Sequence, residues 1–298
     1  MKFVLIIATC LFPQISLGNE LSIPWKFSAE TTVSANLNTW SDNWERRNSG
    51  SFTWICRINK SLDAKLSERM LSETMLRLAF GQTSIRSTED NSWSSPETTT
   101  DMVDFLSILK LSLEGFIDPY ASIRMTSQFH DTRDKFNVRF LNPITLTQSF
   151  GISKNLINDS DLRWSLRLGG AFRSKIDRDT MIYHSIENKN KPTGNFENSV
   201  ISDGGTELIS EIRVRKNDWL TFNSKLLVYE ALILPDHKRS TLWRFPELTW
   251  ENNLKIDLTK HIMLNYYLQI LYDREKGPDP KFRQTFSGGV SMTYSAGS

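Results

Sequence analysis

After its first twenty residues the chain has no long apolar run. No later stretch approaches the roughly 20 consecutive apolar residues that a membrane-spanning helix requires, so any passage through a bilayer has to be made by strands. Cysteine is nearly absent. Of the two present, Cys10 lies in an apolar leader and Cys56 is left alone, which excludes an internal disulfide framework. Histidine is scarce, with 4 residues in 298, and that leaves little material for a transition-metal centre or a His-dependent hydrolase. Neither sign of charge dominates: 36 Lys and Arg stand against 34 Asp and Glu for a net charge of +2. The chain therefore lacks the basic excess of a nucleic-acid binder and the bias that would mark a strongly acidic partner.

What is present begins with the leader. Lys2 precedes an apolar run from Phe3 to Phe12, and Gly18 stands before polar Asn19 and Glu20. This is the pattern of a secretory signal peptide over residues 1–18, which leaves a mature domain of residues 19–298. Ile7-Ala8-Thr9-Cys10 also suits a lipid-bearing cysteine, but the leader it leaves is very short.

Beyond the leader the dominant pattern is period two. In LTWENNLKIDLTKHIMLNYYLQILYD, residues 248–273, Leu248, Trp250, Leu254, Ile256 and Leu258 share one face with Leu264, Tyr266, Leu268, Ile270 and Tyr272 of the next segment. Glu251, Lys255, Asp257, Asn265, Gln269 and Asp273 fall on the other face. The same alternation recurs near residues 25–37, 52–58, 74–80, 121–129, 144–152, 162–172, 208–214, 220–228 and 282–294. Residues 103–113 are less regular, because Leu106 and Ile108 interrupt the face of Phe105, Leu109, Leu111 and Leu113. With that segment counted, about twelve strands result. An apolar content of 39% is compatible with their crossing a bilayer, since a barrel strand gives lipid only every second residue.

Connection lengths sharpen the architecture. KSLDAKLSER, EGFIDP, KNLINDSD, KND and TKH are short, whereas residues 40–50, 84–101, 130–140, 174–204, 231–244 and 274–281 form mostly longer polar segments. Short turns at one end and long loops at the other describe an antiparallel up-and-down transmembrane β-barrel, with periplasmic turns and extracellular loops. A secreted β-sandwich would also alternate, but its strands would be nearer 5 or 6 residues, and its loops would not sort by end. Trp25, Trp54, Trp164, Trp250, Tyr272, Phe282 and Tyr294 fall near strand ends, where interfacial girdles sit.

The order of several short pieces, namely LNTWSDNW, LAFGQT, SQF, LNPITLTQSFGISK, LRLGGAF and ILYDRE followed by TFSGGVSMTY, resembles an uncharacterised family of Gram-negative outer-membrane barrels known as a domain of unknown function. The resemblance covers most of the mature chain and implies residence in the outer membrane. It carries no activity and no catalytic residues. One departure is the ending: Tyr294 is followed by SAGS, where many barrels finish on an aromatic residue.

The parity that sends apolar residues to lipid sends Arg57, Arg77, Arg124, Arg163, Arg167, Arg173, Glu207, Glu211, Arg213, Arg215, Lys225, Glu251, Lys255, Asp257, Asp273 and Arg283 to the lumen. Two arrangements follow: opposite charges that pair and plug the interior, or a solvated Arg-biased passage that favours small anionic solutes. A hydrolase is not expected. His130 has Ser127 and Asp131 close in sequence, but neighbours on a strand face opposite ways and form no triad. No metal, including Ca²⁺ at Asp101 and Asp104, is supported by a spaced motif, and no cofactor is expected. The paired glycines 169–170, 204–205 and 288–289 read as strand kinks or loop ends. The expected partners are outer-membrane lipid, lipopolysaccharide and the barrel-assembly machinery, with no nucleic acid. The two competing roles are a narrow channel and a non-conducting barrel that acts through its loops.

Overall fold

Alternating chains bury one face only when the sheet closes or packs, and here it closes. The computed structural model of the chain describes residues 24–39, 48–87, 90–113, 115–131, 138–185, 193–217, 219–233, 245–273 and 279–297. Its barrel strands are β1 (Trp25–Thr39), β2 (Asn48–Lys65), β3 (Met70–Ser87), β4 (Glu97–Leu111), β5 (Asp118–Ser127), β8 (Ile144–Asn158), β9 (Leu162–Ser185), β10 (Thr193–Lys216), β11 (Leu220–Ile233), β12 (Glu247–Asp257), β13 (Ile262–Tyr272) and β14 (Lys281–Gly297). Two-residue strands β6 (His130–Asp131) and β7 (Arg139–Phe140) pair apart from them. The twelve barrel strands follow one another antiparallel around the ring, and β1 closes it by pairing with both β2 and β14.

The wall obeys the parity of the sequence. Large apolar side chains cover the outside, with Phe150 71%, Phe286 60% and Val33 51% exposed, while Ser34, Ala79, Ser287 and Ser291 on the opposite face are buried. An apolar outer surface around a polar inner one is the arrangement a bilayer imposes on a barrel. Indole donors on that outer surface find partners on the neighbouring strand: Trp164 Nε1 donates to Ser210 Oγ and Trp250 Nε1 to Ser224 Oγ, each at 3.0 Å. An unpaired N–H in hydrocarbon would cost several kcal/mol. Cys56 pairs with outward Val33 and Phe80 and is one more residue of this face.

Short connections at residues 66–69, 112–117, 159–161, 217–219 and 258–261 occupy one end of the barrel, and the remaining connections the other. The long loop read over residues 174–204 requires correction. β9 continues to Ser185 and β10 starts at Thr193, paired with few breaks almost to their ends. The ladder outlasts the hydrophobic alternation because both faces of a hairpin beyond the bilayer meet water, so backbone pairing remains while the apolar face disappears. The SAGS ending is likewise mostly strand, with Ala296 opposite Phe27 and Gly297 opposite Lys26. Residues 130–140 are not wholly irregular, since they contain both β6 and β7. The leader, residues 1–18, and most of residues 40–50 lie outside the described residues.

β4 explains its own irregularity. Asp104 faces Arg77 in register, so the even positions of β4 point inward. Leu106 and Ile108 are therefore interior residues, and they pack with Tyr120 and Met75 into a small apolar cluster inside the wall. The alternation is intact; an apolar patch on the inner face masked it.

Candidate functional site: the barrel interior

Side chains that bond across non-neighbouring strands can meet only through the lumen, and such contacts place most of the charged candidates. Arg77 on β3 forms an ion pair at 3.6 Å with Glu251 on β12, and four strands separate them on one side and six on the other. This pair spans the ring. The same guanidinium pairs with Asp104, which also accepts from Arg124 at 2.9 and 3.0 Å. Glu251 accepts in addition from Gln269 at 3.1 Å.

A second group fills the wall from β5 to β11. Arg167, 3% exposed, and Lys225 both pair with Glu211, at 3.0 and 2.9 Å. Tyr120 on β5 donates to Glu207 on β10 at 3.3 Å. Nearer the long-loop end, Arg173 on β9 pairs with Asp203 on β10 at 2.9 Å and with Glu247 on β12 at 2.7 Å. Its guanidinium lies 4.3 Å from the ring centre of Tyr229, whose hydroxyl donates to Asp203 at 2.6 Å. Below, Lys255 pairs with Glu30 of β1 and, at 3.3 Å, with Asp257, while Ser291 also donates to Glu30 at 3.2 Å.

Arg57, Arg163, Arg213, Arg215 and Arg283 make no salt bridge among the described residues. Arg163 and Arg213 stand opposite each other on β9 and β10, and with Arg215 they lie exposed at the short-turn mouth. Arg57 on β2 keeps its buried Nη1 without a hydrogen-bond partner among the described residues. Arg283 donates to Thr100 Oγ1 on β4 at 3.2 Å and lies 6.0 Å from the centre of the Tyr267 ring. The interior thus combines closely paired charges with several arginines that make no salt bridge among the described residues.

Several residues of this network escape a reading by parity alone. Asp104 is the main one, because the apolar Leu106 and Ile108 beside it hid the inner face of β4. Tyr120, Tyr229 and Tyr267 are inward aromatics among outward ones. Glu30, Glu73 and Lys110 carry ordinary strand parity, and Lys110 donates to Glu73 at 2.8 Å.

The segment between β5 and β8 is held by a separate buried cluster. Arg139 pairs with Asp131 at 2.5 Å and Asp177 at 3.3 Å, and Asn142 donates to the same two carboxylates at 2.9 and 2.8 Å. Asp101 accepts the backbone N–H groups of Phe129 and His130. The His130 ring packs against Phe80 and Phe140, while Ser127 donates to the Pro143 carbonyl at 3.0 Å. Ser127, His130 and Asp131 are thereby each engaged elsewhere. His261 lies in a short turn, the side chain of His184 and all of His237 lie outside the described residues, and no group of three or more His, Cys, Asp or Glu among the described residues could hold a metal.

No family model and no curated protein matches the chain. Among solved structures it is similar to an outer-membrane channel from Pseudomonas putida F1, at 12% identity and a TM-score of 0.42, covering 92% of this chain and 97% of that one. It is also similar to the translocator domain of the autotransporter NalP from Neisseria meningitidis, at 9% identity and a TM-score of 0.38, covering 93% and 90%. The outer-membrane protease OmpT from Escherichia coli matches at 11% identity and a TM-score of 0.28, covering 93% and 99%. Three outer-membrane barrels with three different roles assign no activity to this one.

Proposed function

We propose that the chain is an integral outer-membrane barrel, exported by the leader at residues 1–18, whose interior is a narrow passage for small anions held nearly closed by ion pairs. The observation that carries this reading is the ion pair of Arg77 with Glu251. It joins nearly opposite walls and obstructs the wide aqueous lumen of an open pore. A purely structural interior has no need of cations outside salt bridges, yet Arg57 and Arg283 in the lumen, and Arg163, Arg213 and Arg215 at its mouth, make no salt bridge among the described residues. Positive walls favour anions and repel cations in a constricted path. The close pairing keeps basal flux small, because each bridge must open before a hydrated ion passes.

Planar-bilayer recording of the refolded chain tests this. Small, anion-selective unitary steps are expected. Well-folded protein that gives no steps, with Glu251→Gln equally silent, would sink the passage and leave the barrel that acts through its loops.

A further inference from the structure

Hydrocarbon offers neither a hydrogen-bond donor nor an acceptor, so a polar atom on the outer wall of a barrel needs its partner on that wall or on another molecule. Thr74 of β3 and Ser107 of β4, both outward, satisfy each other at 3.2 Å. A row on β11 to β14 does not. Ser224 stands opposite Asn252, Asn252 opposite Leu268, and Leu268 opposite Gln284, so three polar side chains share one line across four adjacent strands. Trp250, two residues before Asn252, and Phe282 and Phe286, on either side of Gln284, are 41%, 74% and 60% exposed, which fixes the outward facing. Part of the row's capacity is spent locally: Trp250 donates to Ser224 Oγ at 3.0 Å and Tyr266 to Gln284 Oε1 at 3.3 Å. The amide nitrogens remain. Among the described residues nothing accepts from Gln284 Nε2 or from Asn252 Nδ2, which is buried. Asn252 as a whole is half-buried, so a half-turn of its amide exchanges nitrogen for oxygen and brings the donors to the surface. It also lies at the middle of β12 (Glu247–Asp257), away from water at either end, where an unmet amide is strongly unfavourable.

We infer that this row is the contact surface for a second copy of the chain within the membrane. An amide carries both donors and an acceptor, so another amide completes it. A two-fold axis along the membrane normal keeps every residue at its own depth and brings the row onto itself, which makes the contact self-complementary. An acyl chain supplies no such partner. Exposed Trp250, Phe286 and Val290 surround the row with apolar surface, and close packing together with hydrogen bonds between polar side chains is what joins segments inside a bilayer. The surface lies outside the barrel and is independent of whether the lumen conducts.

Cross-linking in vesicles tests the contact. Full-length barrel carrying Cys56→Ser and Leu268→Cys is folded into lipid vesicles and oxidised with copper phenanthroline. Leu268 is in the row, so a covalent dimer is expected, whereas Phe150→Cys in the same background, outward on β8, should give none. Energy transfer between labelled copies, followed as the lipid-to-protein ratio rises, reads the strength. Asn252→Leu and Gln284→Leu should each weaken association about tenfold, as loss of one hydrogen bond between membrane segments does. Gln148→Leu should leave it unchanged, since Gln148 faces outward on β8 between Ile123 and Phe172 with no amide beside it. Heat-modifiable migration verifies folding, and the cross-link decides even if a leucine variant misfolds. A parent that is monomeric at every ratio, or that cross-links as readily through Phe150→Cys, overturns the inference. So does a monomer that holds lipid in native mass spectra and loses it in Asn252→Leu, which would give the row to a lipid headgroup.

Discussion

The hydroxyl of Tyr120 reaches Glu207 at 3.3 Å across two intervening strands, along the register line Tyr120, Gly151, Gly169, Glu207. The line works because its two middle residues lack side chains. A Cβ on Gly169 would sit 2.3 Å from the Phe150 carbonyl oxygen and 2.9 Å from the Tyr120 hydroxyl, and one on Gly151 would sit 2.2 Å from the Leu168 carbonyl oxygen. Glycine therefore lets β8 and β9 approach closely and lets the tyrosine lie across them.

Gly169→Ala should destabilise the barrel by about 1 to 3 kcal/mol, the range for forced overpacking. Tyr120→Phe keeps the ring but removes a donor from the buried Glu207 carboxylate, and should cost about 1 to 3 kcal/mol. Urea unfolding followed by heat-modifiable gel migration measures both. A Gly169→Ala barrel as stable as the parent would show that the close approach is not tight.

Parity on β13 gives a paired prediction. Leu268 faces outward, opposite Asn252 and Gln284, whereas Gln269 faces the lumen and donates to Glu251. Leu268→Lys should cost about 2 to 4 kcal/mol near the bilayer midplane. Gln269→Lys should cost far less, since its charge meets Glu251. Equal costs in lipid-vesicle folding titrations would mean that the facing is misassigned.

Glu251→Gln removes the far anchor of Arg77 while Asp104 still holds the near one. Unitary conductance should rise severalfold and anion preference should strengthen, because the bridge opens and the wall loses a negative charge. Bilayer recordings of parent and variant, with reversal potentials in a salt gradient, decide it.

Arg163 and Arg167 should part company. Arg163 is exposed at the mouth, so Arg163→Glu should weaken anion preference with little loss of stability. Arg167 is buried against Glu211, so Arg167→Glu sets two carboxylates together and leaves Glu211 with Lys225 alone. Breaking such a pair costs about 3 to 5 kcal/mol, and a large drop in folded yield is expected. Similar behaviour of the two variants would contradict their different burial.

The cluster beside β7 makes a local prediction. Arg139→Met should leave the fully buried Asp131 with Asn142 as its remaining neighbour of that group. Hydrogen exchange over residues 138–143 should accelerate while the twelve-stranded wall keeps its protection. Unchanged exchange would mean that the cluster is not what holds the segment to β9.

Strand number, facing and the sorting of short from long connections follow from the sequence alone, because a lipid surface and a wet lumen impose opposite demands on successive residues. The near absence of cysteine and histidine is legible for the same reason: composition reports the surroundings. Where both faces of a strand meet the same medium, the pattern vanishes, which is why β9 after residue 173 and β10 before residue 205 read as a loop. Where the inner face is apolar, as at Leu106 and Ile108, it misleads. Only the closed ring decided which charges meet. That Arg77 finds Glu251 and that Arg173 finds Glu247 depends on the angular order of strands and on register, and each contact joins residues far apart in the chain. Alternation fixes which way a side chain points; closure fixes what stands opposite it.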